Sequence, residues 1–337
     1  MKNTAIIVPN WNGKESLGVC LDSLLSQSIN STIIVVENAS TDGSLEYIKN
    51  SYPEVELVVN KKNLGFAGGV NSGIRRALEL KCDALALFNN DAVAEKDWLK
   101  NLTVAMDGSS NVGLVAPKIL SKFEKKLDSA GDMYTSWGLP YPKGRKESDD
   151  GQYDKPGNIF SASGGASLYR VSMLKEIGLF DDDFFAYYED VDISFRAQLA
   201  GWKIMYEPSA IAYHEIGATS SKIPGFTTYQ TIKNLPWLFW KNVPRKYLFD
   251  VGIRFYLAYF SFVVSAVSRG QFMAVIKGLF VSIIFMPKKL IQRHKIQSSA
   301  KVSPEYIWSI MTHDLPPNAT KLRKIRSFYR KMIMKEK

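Results

Sequence analysis

The sequence has only two cysteines, Cys20 and Cys82, among 337 residues. Neither has a partner at the spacing of a metal site, so both favour burial as small apolar side chains, and nothing indicates an oxidising compartment. The apolar run at the amino terminus, which ends at Pro9, is too short for a signal peptide. We therefore expect a cytoplasmic protein.

Long uninterrupted apolar runs are also missing. The longest, Phe255 to Val267, is shorter than the roughly 20 residues of a membrane-spanning helix. It lies in an apolar region, Tyr247 to Met286, that Asp250, Arg254 and Lys277 interrupt. This pattern favours amphipathic helices that lie in a membrane interface. A helical subdomain packed on the core and a re-entrant hairpin remain open as alternatives.

Acidic residues are scarce in the second part of the chain. Residues 1–221 carry 22 Lys/Arg and 29 Asp/Glu, a net charge of −7, whereas residues 222–337 carry 21 and 4, a net of +17. Such asymmetry indicates an acidic folded part and a basic part that meets an anionic surface. The basic part is dense in apolar residues, with Trp237 and Trp240 as candidate interface anchors and a basic tail, Lys321 to Lys337. We therefore expect an anionic membrane surface and no nucleic acid.

The first 120 residues alternate between apolar strands and amphipathic helices. Predicted strands are Thr4 to Pro9, Thr32 to Glu37, Val55 to Val59, Ala84 to Phe88 and Gly113 to Leu120. The intervening helices are Glu15 to Gln27, Leu45 to Lys49, Val70 to Leu80 and Glu95 to Met106. This alternation predicts a parallel, Rossmann-like sheet.

The next segment, Ser121 to Gly157, is rich in charges, glycines and prolines and predicts a long mobile loop over an active site. Regular patterns then return. Strands are predicted at Ile159 to Ser163, Lys203 to Tyr206 and Ala210 to His214, and helices at Val171 to Ile177 and Asp190 to Ala200.

Polar residues follow the predicted strands where parallel strands end at a common edge. Ala84 to Phe88 is followed by Asn89, Asn90 and Asp91. A carboxylate with neighbouring amides at this edge could hold a divalent cation against a diphosphate. The alternative is that Asp91 caps the next helix.

Two further features at this edge favour a nucleotide. Glu37 could accept the N3–H of a uracil or thymine ring or a ribose hydroxyl, or could stabilise its own turn. The glycine-rich loop Asn63 to Gly69 could bring backbone amides to a phosphate at a helix start. It lacks the P-loop lysine, so phosphoryl transfer from a trinucleotide is not supported.

Taken in order, four motifs resemble those of family 2 glycosyltransferases with the GT-A fold. They are Ile6 to Gly13, Val36 to Ser44, Asn63 to Asn71 and Phe88 to Asp91. The subgroup they resemble is that of bacterial rhamnosyltransferase-like and galactofuranosyltransferase-like enzymes. The resemblance covers residues 4–220 and implies an α/β, GT-A Rossmann-like mixed sheet flanked by helices, with a C-terminal helical membrane-associating region. It divides the chain into a glycosyltransferase domain, 1–221, with a nucleotide-binding half (1–120) and an acceptor half (158–221), and a helical region, 222–337.

The resemblance also assigns roles to individual residues. It implies that Asp190 is the catalytic base. Acceptor contacts are assigned to Glu189, Gly164, Gly165 and Trp202, although Trp202 also fits a packing role. Nucleotide contacts are assigned to Pro9, Asn10, Trp11, Glu37, Asn38, Asn63, Gly65, Gly68 and Asn90. A Mg²⁺ or Mn²⁺ ion is assigned to Asp91, His214 and Asn89, where Asn89 replaces the first acid of the family's Asp-x-Asp motif.

The function implied is inverting transfer of a sugar, with rhamnose as the first choice, from a dTDP- or UDP-linked donor. The acceptor is a polyprenyl-linked or cell-surface glycan at the cytoplasmic face of the inner membrane. Two other functions remain open from the sequence. One is a nucleotidyltransferase, and the other is a membrane-associated sugar-nucleotide-binding protein without catalysis.

Overall fold

A computed structural model describes residues 3–124, 126–215, 223–317, 319 and 323. The strands are β1 Thr4–Asn10, β2 Thr32–Glu37, β3 Glu56–Val59, β4 Ala84–Leu87, β5 Ala92–Ala94, β6 Val112–Ser121, β7 Leu127–Ser129, β8 Asp132–Tyr134, β9 Pro140–Pro142, β10 Gly157–Asn158, β11 Leu168–Arg170 and β12 Lys203–His214. The helices are α1 Lys14–Leu25, α2 Ser44–Ser51, α3 Gly65–Glu79, α4 Trp98–Asp107, α5 Val171–Ile177, α6 Glu189–Leu199, α7 Phe226–Asn242, α8 Leu248–Ser268, α9 Phe272–Ser298 and α10 Pro304–Ile310. Single 3-10 turns occupy Asp182–Phe184 and Arg245–Tyr247.

The first four strands form the parallel part of one large sheet, in the order β3-β2-β1-β4. Because side chains alternate along a strand, Ile6 and Val8 of β1 enter one apolar cluster while Ala5 and Ile7 enter another on the opposite face. Both faces are covered by helices, as a continuous apolar strand requires. The strands of the nucleotide-binding half therefore end along one edge, as the sequence predicts.

The second half of the sheet is mixed. Strand β11 is antiparallel to both β4 and β6, and β12 is parallel to β6. The sequence did not predict β11, and it predicted β12 as two strands. In the structure β12 is continuous, with an irregular register between Glu207 and Ile211. A mixed sheet flanked by helices confirms the predicted fold class.

The segment 121–157 is not the long loop that its composition predicted. It contains β7, which pairs with β6, and the β8–β9 hairpin. The buried ammonium of Lys118 is within 3.0 Å of Asp149 and also contacts Asp154, which ties the segment to the sheet. By contrast, the strand predicted at 159–163 is irregular, with one isolated bridge between Asp132 and Ser161.

The C-terminal helices pack on the acceptor half and share a core with α6. Phe184 and Phe195 lie in one apolar cluster with Trp237, Phe239 and Phe255. Trp237 is only 1% exposed and donates its indole N–H to a backbone carbonyl of α9, so the prediction of an interface anchor is wrong for this residue. The predicted domain boundary at 221/222 lies outside the described residues, as does the basic tail apart from Arg323.

A buried ionic network joins α9 and α7 to the 3-10 turn before α6. The Lys289 ammonium lies 2.7 Å from Asp181 and 2.8 Å from Asp183. Lys241 lies 2.7 Å from Asp181 and 2.9 Å from Asp192. Burial alone would raise the pKa of Asp181, but Lys241 and Lys289 hold it well below its usual range. Removal of one partner would leave buried charge uncompensated.

Replacing Lys289 by methionine should therefore lower the free energy of unfolding by about 3 kcal/mol in urea denaturation. Lys288→Met is a matched control, because Lys288 contacts the same Asp183 at 2.6 Å but is 56% exposed. An exposed pair contributes at most about 1 kcal/mol. Equal losses in the two variants would contradict the structural role of the buried network.

The outward surface of α8 and α9 is strongly apolar. Sixteen of the 22 exposed large apolar side chains found in the described residues lie on these two helices. They are Phe249, Ile253, Tyr256, Leu257, Phe260, Val264, Val267, Phe272, Met273, Ile276, Phe280, Ile283, Ile284, Phe285, Leu290 and Ile291. We call this surface the α8–α9 face. The helical stretch Arg245–Ser268 is also long and apolar enough, by length and composition, to cross a membrane.

Candidate active site

A buried chain of side-chain hydrogen bonds connects three strand ends at the carboxyl edge of the parallel sheet. Asn90 donates to Asn10 (2.7 Å), and Asn10 donates to one carboxylate oxygen of Glu37 (2.8 Å). The other oxygen of Glu37 accepts from the amide of Ser40 (2.7 Å). Glu37 is only 1% exposed, so this geometry supports its role in fixing the edge rather than a direct contact with a base or ribose. Pro9 and Trp11 flank Asn10 at the same edge and are partly buried.

Asn38 holds the beginning of α3. Its side-chain oxygen accepts from the side chain of Asn60 and from the backbone amide of Leu64, both at 3.1 Å. Its side-chain NH₂ group donates to the side chain of Asn63 and to the backbone carbonyl of Gly65. Asn63 in turn accepts from the amide of Gly65 (2.8 Å). The structure thus places Asn38 and Asn63 together, next to the strand end of β2.

The three glycines of the predicted loop Asn63 to Gly69 lie instead at the start of α3, which begins at Gly65. Gly65 has a φ of +72°, and an added Cβ would lie 2.4 Å from the carbonyl oxygen of Phe185. A Cβ at Gly68 would lie 2.7 Å from the side chain of Leu64. Close packing therefore requires glycine at both positions, whether or not a phosphate binds at this helix start.

Asp91 and His214 are brought together by the pairing of β5 with the end of β12, where His214 lies opposite Ala92. The Nε2 atom of His214 is 3.3 Å from Asp91 Oδ1 and 3.1 Å from the Asn89 side-chain amide. Its Nδ1 atom is 2.8 Å from Asp128, which fixes the orientation of the ring. The three residues predicted as metal ligands thus lie side by side.

These residues fit a divalent cation that is shared with a ligand. Asp91 Oδ1 is buried and, apart from its 3.3 Å contact with His214 Nε2, has no hydrogen-bond partner in the described residues. Among all the described residues there is no group of three His, Cys, Asp or Glu side chains that could hold an ion without other ligands. Asp91 and His214 would therefore supply two ligands, and diphosphate oxygens and water the others, as is usual for Mg²⁺. Burial alone would lower the pKa of His214, but Asp128 and Asp91 raise it to about 9, so a cation must displace a proton there.

Asp190 lies in the first turn of α6. One carboxylate oxygen accepts from the amide of Gly164 (3.1 Å) and the other from the amide of Val191 (2.8 Å). The side chain is partly buried, and its enclosure raises the pKa of Asp190 above the usual carboxyl range. Burial and then the charge of Asp190 raise the pKa of the neighbouring Glu189, whose Oε2 atom has no partner among the described residues. This pair therefore favours a neutral Glu189 beside an ionisable Asp190.

One short segment links the Asp91 side of the site to the Asp190 side. The amide of Asn89 donates to the carbonyl of Gly165 (2.9 Å), and the amide of Gly164 donates to Asp190. An added Cβ on Gly164 would lie 3.6 Å from the Cβ of Asp190, and one on Gly165 would lie 3.4 Å from the Asn89 amide. The predicted acceptor-side glycines thus lie between the two carboxylates.

Sequence reasoning missed the charged residues that the 121–157 segment adds to the site. Arg145 lies 2.6 Å from Asp128, and Asp132 accepts from the hydroxyl of Ser129 (2.7 Å). The amide of Asp132 donates to Ser161 (2.9 Å), three residues before Gly164, and burial and then the charge of Asp190 raise the pKa of Asp132 to about 7. The only signal in the sequence is the pair Asp128 and Asp132. Because the surrounding residues show no apolar periodicity, this pair alone does not predict where the two side chains lie in the fold.

The position of Trp202 does not fit its predicted role. Trp202 precedes the first residue of β12, at the end of the strand opposite to His214, and its indole N–H donates to Glu176 (3.1 Å). The acceptor-binding assignment of Trp202 is therefore dropped in favour of packing. Asp192 lies in the first turn of α6, is fully buried and pairs with Arg196 at 2.9 Å.

Comparison with known proteins agrees with this architecture. The model of the family described as glycosyl transferase family 2 matches residues 5–178. An N-acetylglucosaminyl-diphospho-decaprenol L-rhamnosyltransferase of Mycobacterium tuberculosis is 28% identical over 215 residues, which cover 57% of this chain and 69% of that protein. The low-salt glycan biosynthesis hexosyltransferase Agl10 of Haloferax volcanii is 25% identical, covering 59% of this chain and 62% of that protein.

Solved structures share the fold. The mannosyltransferase PcManGT from Pyrobaculum calidifontis, in complex with GDP-Man and Mn²⁺, has a TM-score of 0.53 at 14% identity and covers 91% of this chain and 87% of its own. S. aureus TarS 1-349 in complex with UDP has a TM-score of 0.53 at 15% identity, covering 88% and 90%. The family match and the similarity to these relatives define a glycosyltransferase. The chain belongs to glycosyl transferase family 2.

Proposed function

We propose that this protein transfers a sugar, with inversion, from a nucleoside diphosphate to a lipid-linked or cell-surface glycan. The observation that carries the proposal is the link from Asn89 through Gly165 and Gly164 to Asp190, which connects the strand end that carries Asp91, the proposed cation ligand, to the start of α6, which carries the proposed base. A hexose donor and a glycan acceptor would meet at that segment. Membership of the family favours this function over a nucleotidyltransferase.

The chain's own residues would divide the reaction between them. Ionised Asp190 accepts the proton of the acceptor hydroxyl, whose oxygen forms a bond to the anomeric carbon as the bond to the diphosphate breaks. Asp91 and His214 would hold Mg²⁺ or Mn²⁺, which when bound offsets the charge on the departing diphosphate. The side chains of Asn10, Asn38 and Asn63 shape the nucleotide edge.

Rhamnose from a dTDP-linked donor is the first choice of sugar, with a polyprenyl-diphosphate glycan as acceptor. Support comes from the relative in M. tuberculosis, whose name gives L-rhamnose and a decaprenol-linked substrate. The α8–α9 face supports a place at the cytoplasmic membrane surface, where such an acceptor is found. Apolar side chains on one face of a helix pair are what interfacial helices present to lipid.

The test is a donor screen with the full-length chain. Nucleotide sugars with dTDP, UDP and GDP are incubated with an N-acetylglucosaminyl diphosphoprenol acceptor in Mg²⁺ or Mn²⁺, and product is measured by mass. Transfer of rhamnose from the dTDP donor, with an inverted anomeric centre in the product, is expected. A higher kcat/KM for another donor would overturn the choice of rhamnose, and retention of configuration would overturn the role of Asp190 as base.

A further inference from the structure

A basic cavity lies between the start of α8 and the last turns of α9. Its volume is about 490 Å³, and its wall includes Arg245, Leu248, Leu290, Arg293, His294 and Gln297. No Asp or Glu of the described residues lines it. The cavity therefore combines two guanidinium groups and an imidazole with two apolar side chains.

Arg293 is held in place by the end of α7. Its Nη1 atom donates to the carbonyl oxygens of Trp240 and Val243, both at 2.7 Å, and Gln297 donates to the carbonyl of Asn242 (2.8 Å). These contacts use one nitrogen of the guanidinium and leave Nε and Nη2 without an acceptor in the described part of the chain. A preorganised guanidinium with free N–H groups is suited to a phosphate oxygen.

The positive charge of the cavity is not balanced. Lys246, next to Arg245, pairs with Glu305, whereas neither Arg245 nor Arg293 has a carboxylate partner among the residues described. Burial and then the charge of Arg245 lower the pKa of Arg293. A bound anion would relieve this repulsion.

The cavity lies at the border of the α8–α9 face. Phe249, Leu290 and Ile291 are exposed beside it, and His294 and Lys295 continue α9 beyond them. In a membrane interface, lipid phosphates occupy this same border between apolar and hydrated layers.

The cavity is also separate from the active site. The first residue of α7, Phe226, contacts the rings of Phe185 and Tyr187 near the nucleotide edge. The cavity lies at the other end of that 17-residue helix, where Asn242 contacts Asp192 of α6 (2.8 Å). Among the residues described, none of those at the nucleotide edge and none of those that contact Asp190 lines the cavity.

We propose that this cavity binds the phosphate group of an anionic membrane lipid, an inference that rests on the proposed membrane association. Arg245 and Arg293 contact the phosphate oxygens, and Leu248 and Leu290 contact the apolar part that follows. Free phosphate has the same charged chemistry but would leave the apolar wall without a partner.

The test measures partition of the full-length chain onto vesicles of phosphatidylcholine with about one-third phosphatidylglycerol. Arg245→Gln with Arg293→Gln should lower the partition coefficient about 30-fold, because each cation at an anionic surface contributes about fivefold. The control, Arg75→Gln with Lys96→Gln, removes two exposed cations from the glycosyltransferase part and should change it by less than about threefold. Arg245→Glu alone, at an exposed position, should lower it at least about tenfold even if Arg293 is needed for folding.

Equal partition of the double variant and its control would overturn lipid binding by the cavity but not the membrane association. Failure of the wild type to bind anionic vesicles would overturn the membrane association as well. A second experiment measures the binding of inorganic phosphate at constant ionic strength. If calorimetry shows that it binds the wild type and not the double variant, while both partition equally, the ligand is free phosphate and the lipid assignment is wrong.

Discussion

Asp190→Asn is expected to lower kcat for sugar transfer by about 10³-fold, within the range that a positioned general base contributes. Asparagine keeps the size of the side chain and an oxygen for the amide of Gly164, so the N-terminal turn of α6 should remain intact. Initial rates at saturating donor and acceptor give kcat. Asp97→Asn, a change of the same chemistry at the start of α4, controls for general loss and should leave the rate unaltered.

The same variant separates catalysis from folding. The raised pKa of Asp190 means that the folded protein binds this proton more tightly than the unfolded chain does. Stability from the group is therefore present at low pH and is lost as pH rises through the folded pKa. At neutral pH the asparagine variant should unfold at the same or a higher urea concentration. A variant that loses both activity and stability would indicate a structural role instead.

Activity should also depend on pH with a definite sign. Only the ionised form of Asp190 accepts a proton, so kcat/KM should fall as pH decreases through the raised pKa. The acidic limb should thus lie above the pH at which an exposed aspartate titrates, and the residual rate of Asp190→Asn should lack it. An acidic limb that persists in the variant would assign the titration to another group, such as Asp132.

The parts of the site that the sequence predicted share one physical property. Asp91, Glu37 and Asn10 each follow a short run of apolar residues, and the end of such a run marks the edge of a buried parallel strand. The order of the motifs then placed Asp190 and His214 by resemblance. The local sequence pattern was enough to predict these three positions, because each lies where a strand ends.

The parts that the sequence could not predict depend on partners far along the chain. Asp128 is 86 residues from His214, and no local pattern in 121–157 indicates that pairing. Trp237 has the composition of an interface anchor, but its indole is buried because α9 packs over it. Burial of this kind depends on which distant helix covers the residue, and the apolar pattern within one segment does not contain that information.

The remaining large effect concerns the cation. Asp91→Asn should lower kcat/KM by about 10³-fold, or about 4 kcal/mol of transition-state stabilisation, because a metal that offsets diphosphate charge contributes several kcal/mol. Asp128→Asn should act differently, since Asp128 contacts His214 at Nδ1 (2.8 Å) and not at the nitrogen that faces Asp91. Loss of such an orienting partner weakens metal affinity 10–100-fold on the usual scale.

The two variants can therefore be told apart by titration with Mn²⁺. Excess metal should restore most of the rate of Asp128→Asn, because its ligands are intact but less well oriented. It should not restore Asp91→Asn, in which a ligand itself is missing. Calorimetric titration of each variant with Mn²⁺ and dTDP provides a readout that does not depend on turnover. Full activity of Asp91→Asn in a chelator would remove the cation from the reaction, and Asp91 would then be a residue that only holds the protonated His214 in place.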